Sequence, residues 1–222
     1  MSDLEEKISY HFKNHELLEE ALTHPSLSRM GKVRRNYERL EFLGDSVLSL
    51  SVAEMLYRRY PNEAEGELAK RRAQLVGREA VSQAALKIGL DKHIHLADGE
   101  ENIGGRANPA NLENAMEALL GAIFIDGGLS PAKTLVENLW SEELAKMIEP
   151  PSSPKSELQE YMQKLGKGLP EYNIIGTSGP SHKPEFTIEV KVEGHKSATG
   201  TASSRKAAEN IAAENMLKKL RG

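Results

Sequence analysis

The sequence predicts an all-α domain followed by a smaller α+β domain, and three observations support this division. Apolar residues recur at helical spacing through most of residues 1–148. The next run, residues 149–154, contains three prolines, which cannot continue a helix and indicate a linker. Beyond it, apolar and polar residues alternate as in a β-strand. We therefore predict domains at residues 1–148 and 155–222, joined by residues 149–154.

Helical spacing is clearest in two segments of the first domain, which contain Leu40, Leu43, Val47, Leu50 and Leu112, Met116, Leu119, Leu120, Ile123. Pro109 precedes the second segment and suits the first turn of a helix, where its missing N–H is not needed. Because Phe42 and other apolar residues occupy the remaining faces of the first segment, we expect this helix to be buried on most sides.

The second domain is predicted to have the element order α-β-β-β-α. A short helix is expected at residues 156–165, three strands at 172–175, 185–192 and 196–201, and a final helix at about 203–220. Ser203 and Ser204 open this last helix and are suited to cap it. Two helices and three strands in so short a segment predict helices on one face of an antiparallel sheet.

Composition excludes several kinds of site. The 222 residues include no cysteine, which rules out disulfides, thiolate zinc sites and a cysteine nucleophile. No stretch approaches the ~20 apolar residues that a membrane span requires, so we expect no membrane partner. The acidic beginning of the chain has no apolar region typical of a signal peptide, and a cytoplasmic location is the expectation.

Charge is distributed unevenly between the two predicted domains. Residues 152–222 contain 11 Lys and Arg against 8 Asp and Glu, a balance of +3. Residues 1–151 contain 18 against 25, a balance of −7, within a total of −4. An acidic first part and a basic last part indicate separate roles, one for a metal and one for a polyanion.

Glu38, Glu41 and Asp45 share one stripe of a predicted helix, at positions i, i+3 and i+7. A solvated acidic face is the commoner explanation of such a stripe on any helix. The absence of lysine within the stripe and its apolar neighbours favour a metal site instead, because like charges repel unless a cation neutralises them. Gly44 would also allow another element to approach closely.

The second apolar helix has a matching pair of oxygen ligands, Asn114 and Glu117, at positions i and i+3. Two such helices facing each other would bring their oxygens together. Oxygen ligands without cysteine or histidine favour Mg²⁺, with Mn²⁺ as a substitute, over zinc. A site of this kind suits an in-line phosphoryl displacement. A His-Asp phosphohydrolase and a di-iron bundle are excluded, because the sequence has neither a His-Asp dipeptide nor a Glu-x-x-His pattern.

The segment Glu38-Arg39-Leu40-Glu41-Phe42-Leu43-Gly44-Asp45-Ser46-Val47-Leu48 resembles the signature of the bacterial ribonuclease III family. The resemblance implies a homodimeric, Mg²⁺-dependent endonuclease for double-stranded RNA, with no small-molecule cofactor. Its products would carry 5′-phosphate and 3′-hydroxyl ends with a short 3′ overhang. The implied role is the processing of ribosomal-RNA precursors and of some messenger and transfer RNA transcripts. Phe42 and the helix at 38–50 would form the dimer interface.

The resemblance also assigns residues. Glu41, Asp45 and Glu117 match positions that bind metal, and Asp45 and Glu117 match catalytic ones. Glu38 and Glu65 match further acidic positions near the cleavage site.

Asn114 stands where the family usually has aspartate; its amide oxygen can still bind a metal but carries no charge. Two interpretations follow: a natural variant compensated by neighbours such as Glu113, or a double-stranded-RNA-binding protein with weakened or lost cleavage.

The second domain resembles a double-stranded-RNA-binding domain in three segments, 155–161, 179–184 and 200–209. The first and second would enter successive minor grooves, and the start of the last helix would contact phosphates between them. The predicted RNA-binding residues are Gln159, Glu160, His182, Ser204, Arg205 and Lys206. In the first domain, the basic run from Lys70 to Arg72 is a further candidate for phosphate contact. His24 is expected to pack or to make a local hydrogen bond.

Overall fold

The computed structural model describes residues 3–29, 31, 35–151, 153–180 and 184–221. The chain divides into two units, Met1–Pro151 and Ser152–Gly222. The first unit is helical, and the second combines two helices with a three-stranded sheet. The fold classes predicted from the sequence are therefore confirmed.

Nine α-helices occur among the described residues of the first unit: α1 (Asp3–Ile8), α2 (His15–Leu22), α3 (Pro25–Arg29), α4 (Glu38–Arg59), α5 (Glu65–Leu75), α6 (Arg78–Lys87), α7 (Asp98–Asn102), α8 (Pro109–Gly127) and α9 (Leu129–Lys146). Short 3-10 turns at Leu90–Lys92 and Gly105–Ala107 lie on either side of α7.

Helix α8 is the central helix of this unit, and α2, α4, α6 and α9 all pack against it. Its start is defined by Asn108, whose side chain accepts a hydrogen bond from the N–H of Ala110, and by Pro109 in the first turn, as predicted. Most residues from 111 to 123 are buried. A helix that is apolar on all sides is stable only inside a core, so the carboxylate of Glu117 is carried into the interior.

Helix α4 is buried on one side only. Leu40, Val47 and Leu48 join the core, where each buried side chain contributes about 1.5–3 kcal/mol. Other large side chains of the helix face outward, with exposed fractions of 80% for Phe42, 54% for Leu50 and 73% for Tyr57. The expectation that this helix is buried on most sides is therefore wrong, because apolar character alone does not tell a core face from a face left for another surface.

The second unit consists of α10 (Pro154–Lys164), β1 (Glu171–Ser178), β2 (Glu185–Lys191), β3 (Ala198–Ala202) and α11 (Arg205–Arg221). The strands form an antiparallel sheet in the order β1-β2-β3, with Tyr172 opposite Val190 and Ile188 opposite Gly200. The register of β1 shifts between Ile174 and Gly176.

Both helices of this unit pack on one face of the sheet. Ile188 and Val190, at alternate positions of β2, are buried in a cluster that includes Leu158 of α10 and Met216 of α11. Gly200 of β3 allows α11 to come close, because a Cβ there would lie 2.3 Å from the backbone nitrogen of Ala212. The sheet and helices thus share one small core.

Candidate active site

Two glycines bring α4 and α8 into direct backbone contact. A Cβ added at Gly44 would lie 1.7 Å from the carbonyl oxygen of Glu117. A Cβ at Gly121 would lie 2.3 Å from the carbonyl oxygen of Leu40. Since no side chain fits at either position, the crossing depends on both glycines. The close approach expected at Gly44 is confirmed, and it brings the acidic stripe of α4 against the oxygen ligands of α8.

Glu117 is the most deeply buried carboxylate of this crossing, with an exposed fraction of 8%. Its pKa is raised to about 8, chiefly by burial and further by the charges of Asp45, Glu113 and Glu41. At neutral pH the ionised side chain is therefore unfavourable unless a cation is close by.

Glu41 of α4 is likewise partly buried and surrounded by other carboxylates. Burial raises its pKa most, followed by the charges of Glu38, Glu113 and Asp45. These groups therefore destabilise one another's charged forms, and a divalent cation among them would remove that repulsion.

The chemistry of this set fits a hard cation, since every candidate ligand is a carboxylate or amide oxygen. In the part of the chain that the structure describes, no three His, Cys, Asp or Glu side chains are arranged to hold a metal by themselves. The fit therefore depends on charge and ligand type rather than on a closed set of ligands.

A cavity of about 430 Å³ opens beside Glu38, Glu41 and Asn114. Tyr37 also lines it and is hydrogen-bonded to Asn114. Burial raises the pKa of Tyr37 most, and the charges of Glu41 and Glu38 raise it further, so the phenol stays neutral. Asn114 is consequently held by a neutral hydroxyl at the edge of the acidic cluster.

A polar network around Asn111 also lines this cavity. The ring nitrogen Nε2 of His24 lies 3.3 Å from the Asn111 side-chain oxygen, and the Asn111 amide donates to Glu100 at 3.0 Å. The prediction of a local hydrogen bond for His24 is confirmed by the 2.9 Å contact of its Nδ1 with Ser26. Sequence reasoning missed Tyr37, Asn111 and Glu100; the three-residue spacing of Asn111 and Asn114 was the available signal.

Glu113, the neighbour considered as a compensating carboxylate, lies at the same crossing and is paired with Arg78. The Nε of Arg78 donates to Glu113 at 2.5 Å, and the Glu113 side chain is 16% exposed.

Glu65 lines a different cavity, of about 660 Å³, together with Leu50, Tyr57 and Arg72. Within one chain, the structure does not bring Glu65 to the cavity that Glu38 and Glu41 line.

Arg71 is fully buried, and the expected phosphate contact is wrong for this residue. It forms two hydrogen bonds to Glu63, at 2.8 and 2.6 Å, and one to the carbonyl oxygen of Met147 at 2.6 Å. Its guanidinium also lies 3.7 Å from the ring centre of Tyr60. Arg71 thus joins the end of α9 to α5. The run of basic residues in the sequence could not reveal this structural role.

The predicted RNA-binding residues of the second unit lie on α10 and at the start of α11. Gln159 and Glu160 are exposed on α10. At α11, Ser204 accepts a hydrogen bond from the N–H of Ala207 at 3.3 Å, and Arg205 and Lys206 are exposed. His182 lies outside the described residues.

A buried glutamate that sequence reasoning missed connects these two helices. Glu209 accepts hydrogen bonds from Lys155 of α10 at 2.6 Å and from Arg205 at 3.0 Å. The pKa of Glu209 is lowered, chiefly by Lys155. The i, i+4 spacing of Arg205 and Glu209 could have predicted their ion pair, but not the ion pair with Lys155.

None of the helices that the structure describes is both long and apolar enough to span a membrane.

Comparison with known proteins assigns both units. The family model described as Ribonuclease-III-like matches residues 14–144, and the double-stranded RNA binding motif matches residues 154–220. Ribonuclease 3 of Wolbachia sp. subsp. Brugia malayi is 46% identical over 99% of this chain and 93% of its own length. Ribonuclease 3 of Anaplasma marginale (strain Florida) is 47% identical over 97% of this chain and 92% of its own.

The first unit also resembles a solved structure, the nuclease domain of ribonuclease III from Campylobacter jejuni. The two share 40% sequence identity with a TM-score of 0.61, over 65% of this chain and 98% of that domain. The chain therefore belongs to the ribonuclease III family and is a metal-dependent endoribonuclease that acts on double-stranded RNA.

Proposed function

We propose that Glu41, Asp45, Asn114 and Glu117 hold the catalytic divalent cation, Mg²⁺ under cellular conditions, with Mn²⁺ as a substitute. The observation that carries this proposal is the buried carboxylate of Glu117, which faces other carboxylates across the Gly44–Gly121 crossing and lacks a cationic partner among the described residues. Such strongly shifted groups in a cleft are typical of functional sites.

The side chains of this crossing have distinct tasks in the proposed reaction. A divalent cation held there would supply an activated water and would stabilise the leaving oxygen of the phosphodiester. Glu117, fixed within the core helix α8, holds one side of the site rigidly. Asp45 is exposed on α4, where a substrate could approach it. Asn114 contributes a neutral oxygen, oriented by its hydrogen bond with Tyr37. We retain Glu38 as a secondary acidic residue, because it borders the same cavity.

The second unit is proposed to deliver the duplex. Gln159 and Glu160 would contact one minor groove, and His182 the next. Ser204, Arg205, Lys206 and the free N–H groups at the start of α11 would meet phosphates between them. Such contacts recognise the shape of A-form RNA more than its sequence.

We further propose that the protein acts as a homodimer through α4. Phe42, Leu50 and Tyr57 expose a large apolar surface on this helix, and an apolar surface of this kind favours association. The Campylobacter jejuni structure is described as having a region involved in dimer formation in its nuclease domain. A second copy is also the simplest way to bring Glu65 to a cleavage site. Sedimentation of the wild-type chain should show a dimer, and Phe42→Glu should shift it to a monomer.

The proposed products carry 5′-phosphate and 3′-hydroxyl ends with a short 3′ overhang, and the proposed substrates are precursors of ribosomal RNA and some messenger and transfer RNA transcripts. End-group analysis of the cleaved strands tests the first statement. A 5′-hydroxyl product would contradict it.

The main test incubates a labelled RNA duplex with the purified chain and Mg²⁺. We expect cleavage of the duplex and none of the same strands kept single. Binding without cleavage, even with Mn²⁺ and excess protein, would support the binding-only alternative that Asn114 raises. Asn114→Asp belongs in the same assay, because an added carboxylate should increase the rate at low Mg²⁺ if Asn114 is a ligand.

A further inference from the structure

The residue before Asn114 lies on the same part of α8 as the proposed ligands. Glu113 and Glu117 are four residues apart, and Asn114 and Glu117 are three apart, so these side chains are neighbours on the helix surface. Glu113 therefore brings a negative charge to the stripe in which Asn114 has none.

The charge of Glu113 acts on both sides of the crossing. It raises the pKa of Glu117 on its own helix and that of Glu41 on α4. The Glu113 side chain is only 16% exposed, which limits screening of this charge by solvent. A carboxylate whose charge acts on both helices would also act on a cation held between them.

A cation on a third helix restrains this carboxylate. Arg78 is the first residue of α6, which packs against α8, and its Nε donates to Glu113 at 2.5 Å. The charge-assisted hydrogen bond orients Glu113, while the positive charge offsets part of its field. The Arg78 side chain itself is mostly exposed.

We propose that Glu113 supplies to the cation site the negative charge that Asn114 lacks, and that Arg78 limits this contribution. The Arg78–Glu113 pair thereby sets the affinity of the site for divalent cations. This inference rests on the proposed function, because it takes a cation held by Glu41 and Glu117 as its starting point.

The test measures Mn²⁺ binding to the full chain without RNA, by electron paramagnetic resonance of free Mn²⁺. Glu113→Gln should weaken binding about thirtyfold, the effect of removing a unit charge ~4 Å from a divalent cation in a water-like medium. Arg78→Gln should strengthen it by a similar factor. Opposite signs are informative, because loss of structure would weaken binding in both variants.

The chain contains a matched control pair, whose cation lies on α6 like Arg78 and whose carboxylate lies on α9. Lys87, in the last turn of α6, donates to Glu143 at 2.7 Å. Lys87→Gln and Glu143→Gln change charge by the same amounts and should leave Mn²⁺ affinity unchanged. In an Asn114→Asp background, Glu113→Gln should cost less than in the wild type, because the carboxylate is then supplied directly.

Two results would overturn different statements. If Glu113→Gln binds Mn²⁺ as tightly as the wild type while Glu117→Gln abolishes binding, the role of Glu113 is wrong and the proposed site stands. If Glu117→Gln retains full Mn²⁺ affinity, the proposed site itself is wrong.

Discussion

Glu117 in the first unit and Glu209 in the second are equally buried glutamates with opposite electrostatics. Each has an exposed fraction of 8%. The pKa of Glu117 is raised to about 8 by burial and neighbouring carboxylates. The pKa of Glu209 is lowered, because Lys155 and Arg205 each donate to its carboxylate.

The difference shows how burial alone fails to define a functional group. Glu209 has its counter-charges within the fold, so its ion pairs hold α10 and α11 together without any ligand. Glu117 has carboxylates for neighbours, so its ionised form is disfavoured at neutral pH unless a cation from outside the protein balances the charge. Glu209 therefore stabilises the packing of two helices, whereas Glu117 is a candidate ligand for a cation.

The largest expected effect is on catalysis. Glu117→Gln should lower the cleavage rate by roughly 100-fold or more, as removal of one key electrostatic group does in other enzymes, while leaving duplex binding largely intact. Cleavage of labelled duplex and fluorescence anisotropy measure the two properties separately. Full activity in this variant would show that Glu117 is not a catalytic ligand. The functional difference between Glu117 and Glu209 would then be wrong.

The two glutamates should also give opposite pH dependences of stability in metal-free protein. A raised pKa means that the contribution of Glu117 is fully present below its unfolded value of 4.5 and is lost as the pH rises to about 8. The loss is at most ~5 kcal/mol. Glu209, with a lowered pKa, stabilises above 4.5 and loses this contribution as the pH falls through its folded pKa.

Each unit offers its own probe for this comparison. Trp140, the single tryptophan, is buried in the first unit and reports its unfolding by fluorescence. Hydrogen exchange of α11 amides reports the second unit. Glu117→Gln should flatten the first pH profile and leave the second unchanged. If stability changed with pH in the same direction and to the same extent in both units, the assigned electrostatics would be contradicted.

The helix crossing that creates the environment of Glu117 should be sensitive to a single methyl group. Gly44→Ala places a Cβ where the backbone of Glu117 lies, and should lower the free energy of unfolding by about 1–3 kcal/mol. Gly66→Ala is the matched control on α5, where a Cβ meets nothing within 4 Å. Urea unfolding followed by Trp140 measures both. A Gly44→Ala protein as stable as the control would show that the crossing can relax.

The smallest effect concerns the phosphate contacts beside Glu209. Arg205 already donates to Glu209, whereas Lys206 is exposed next to it. Lys206→Ala should weaken duplex binding about equally for all sequences and reduce the slope of log affinity against log salt by roughly 1. Binding titrations at several salt concentrations measure the slope, and an unchanged slope would count against a phosphate contact.

Local sequence patterns were sufficient for much of the fold and for the spacing of the candidate ligands. The spacing of Glu41 and Asp45, and of Asn114 and Glu117, follows from helix geometry within a few residues. The proline-rich linker and the alternation in β2 are likewise local. These features require no knowledge of what the helices contact.

Residues whose roles depend on distant partners were missed or misread. The basic run at Arg71 suggested RNA, because nothing nearby shows that Glu63 and the end of α9 enclose it. The helix that carries Phe42 was expected to be buried on most sides, although helical spacing cannot say which apolar face a chain leaves exposed. Glu209 drew no notice, since half of its ion pairing comes from Lys155, 54 residues earlier.

The sequence by itself therefore determined which residues share the acidic stripe, and that a helical fold is followed by an α+β fold. Only the tertiary structure decided that α4 and α8 meet at Gly44 and Gly121, and hence that Glu117 is buried among carboxylates. The physical reason is that spacing along a helix is a local property. Burial and electrostatic environment are set by side chains that are distant in the sequence and adjacent only in the fold.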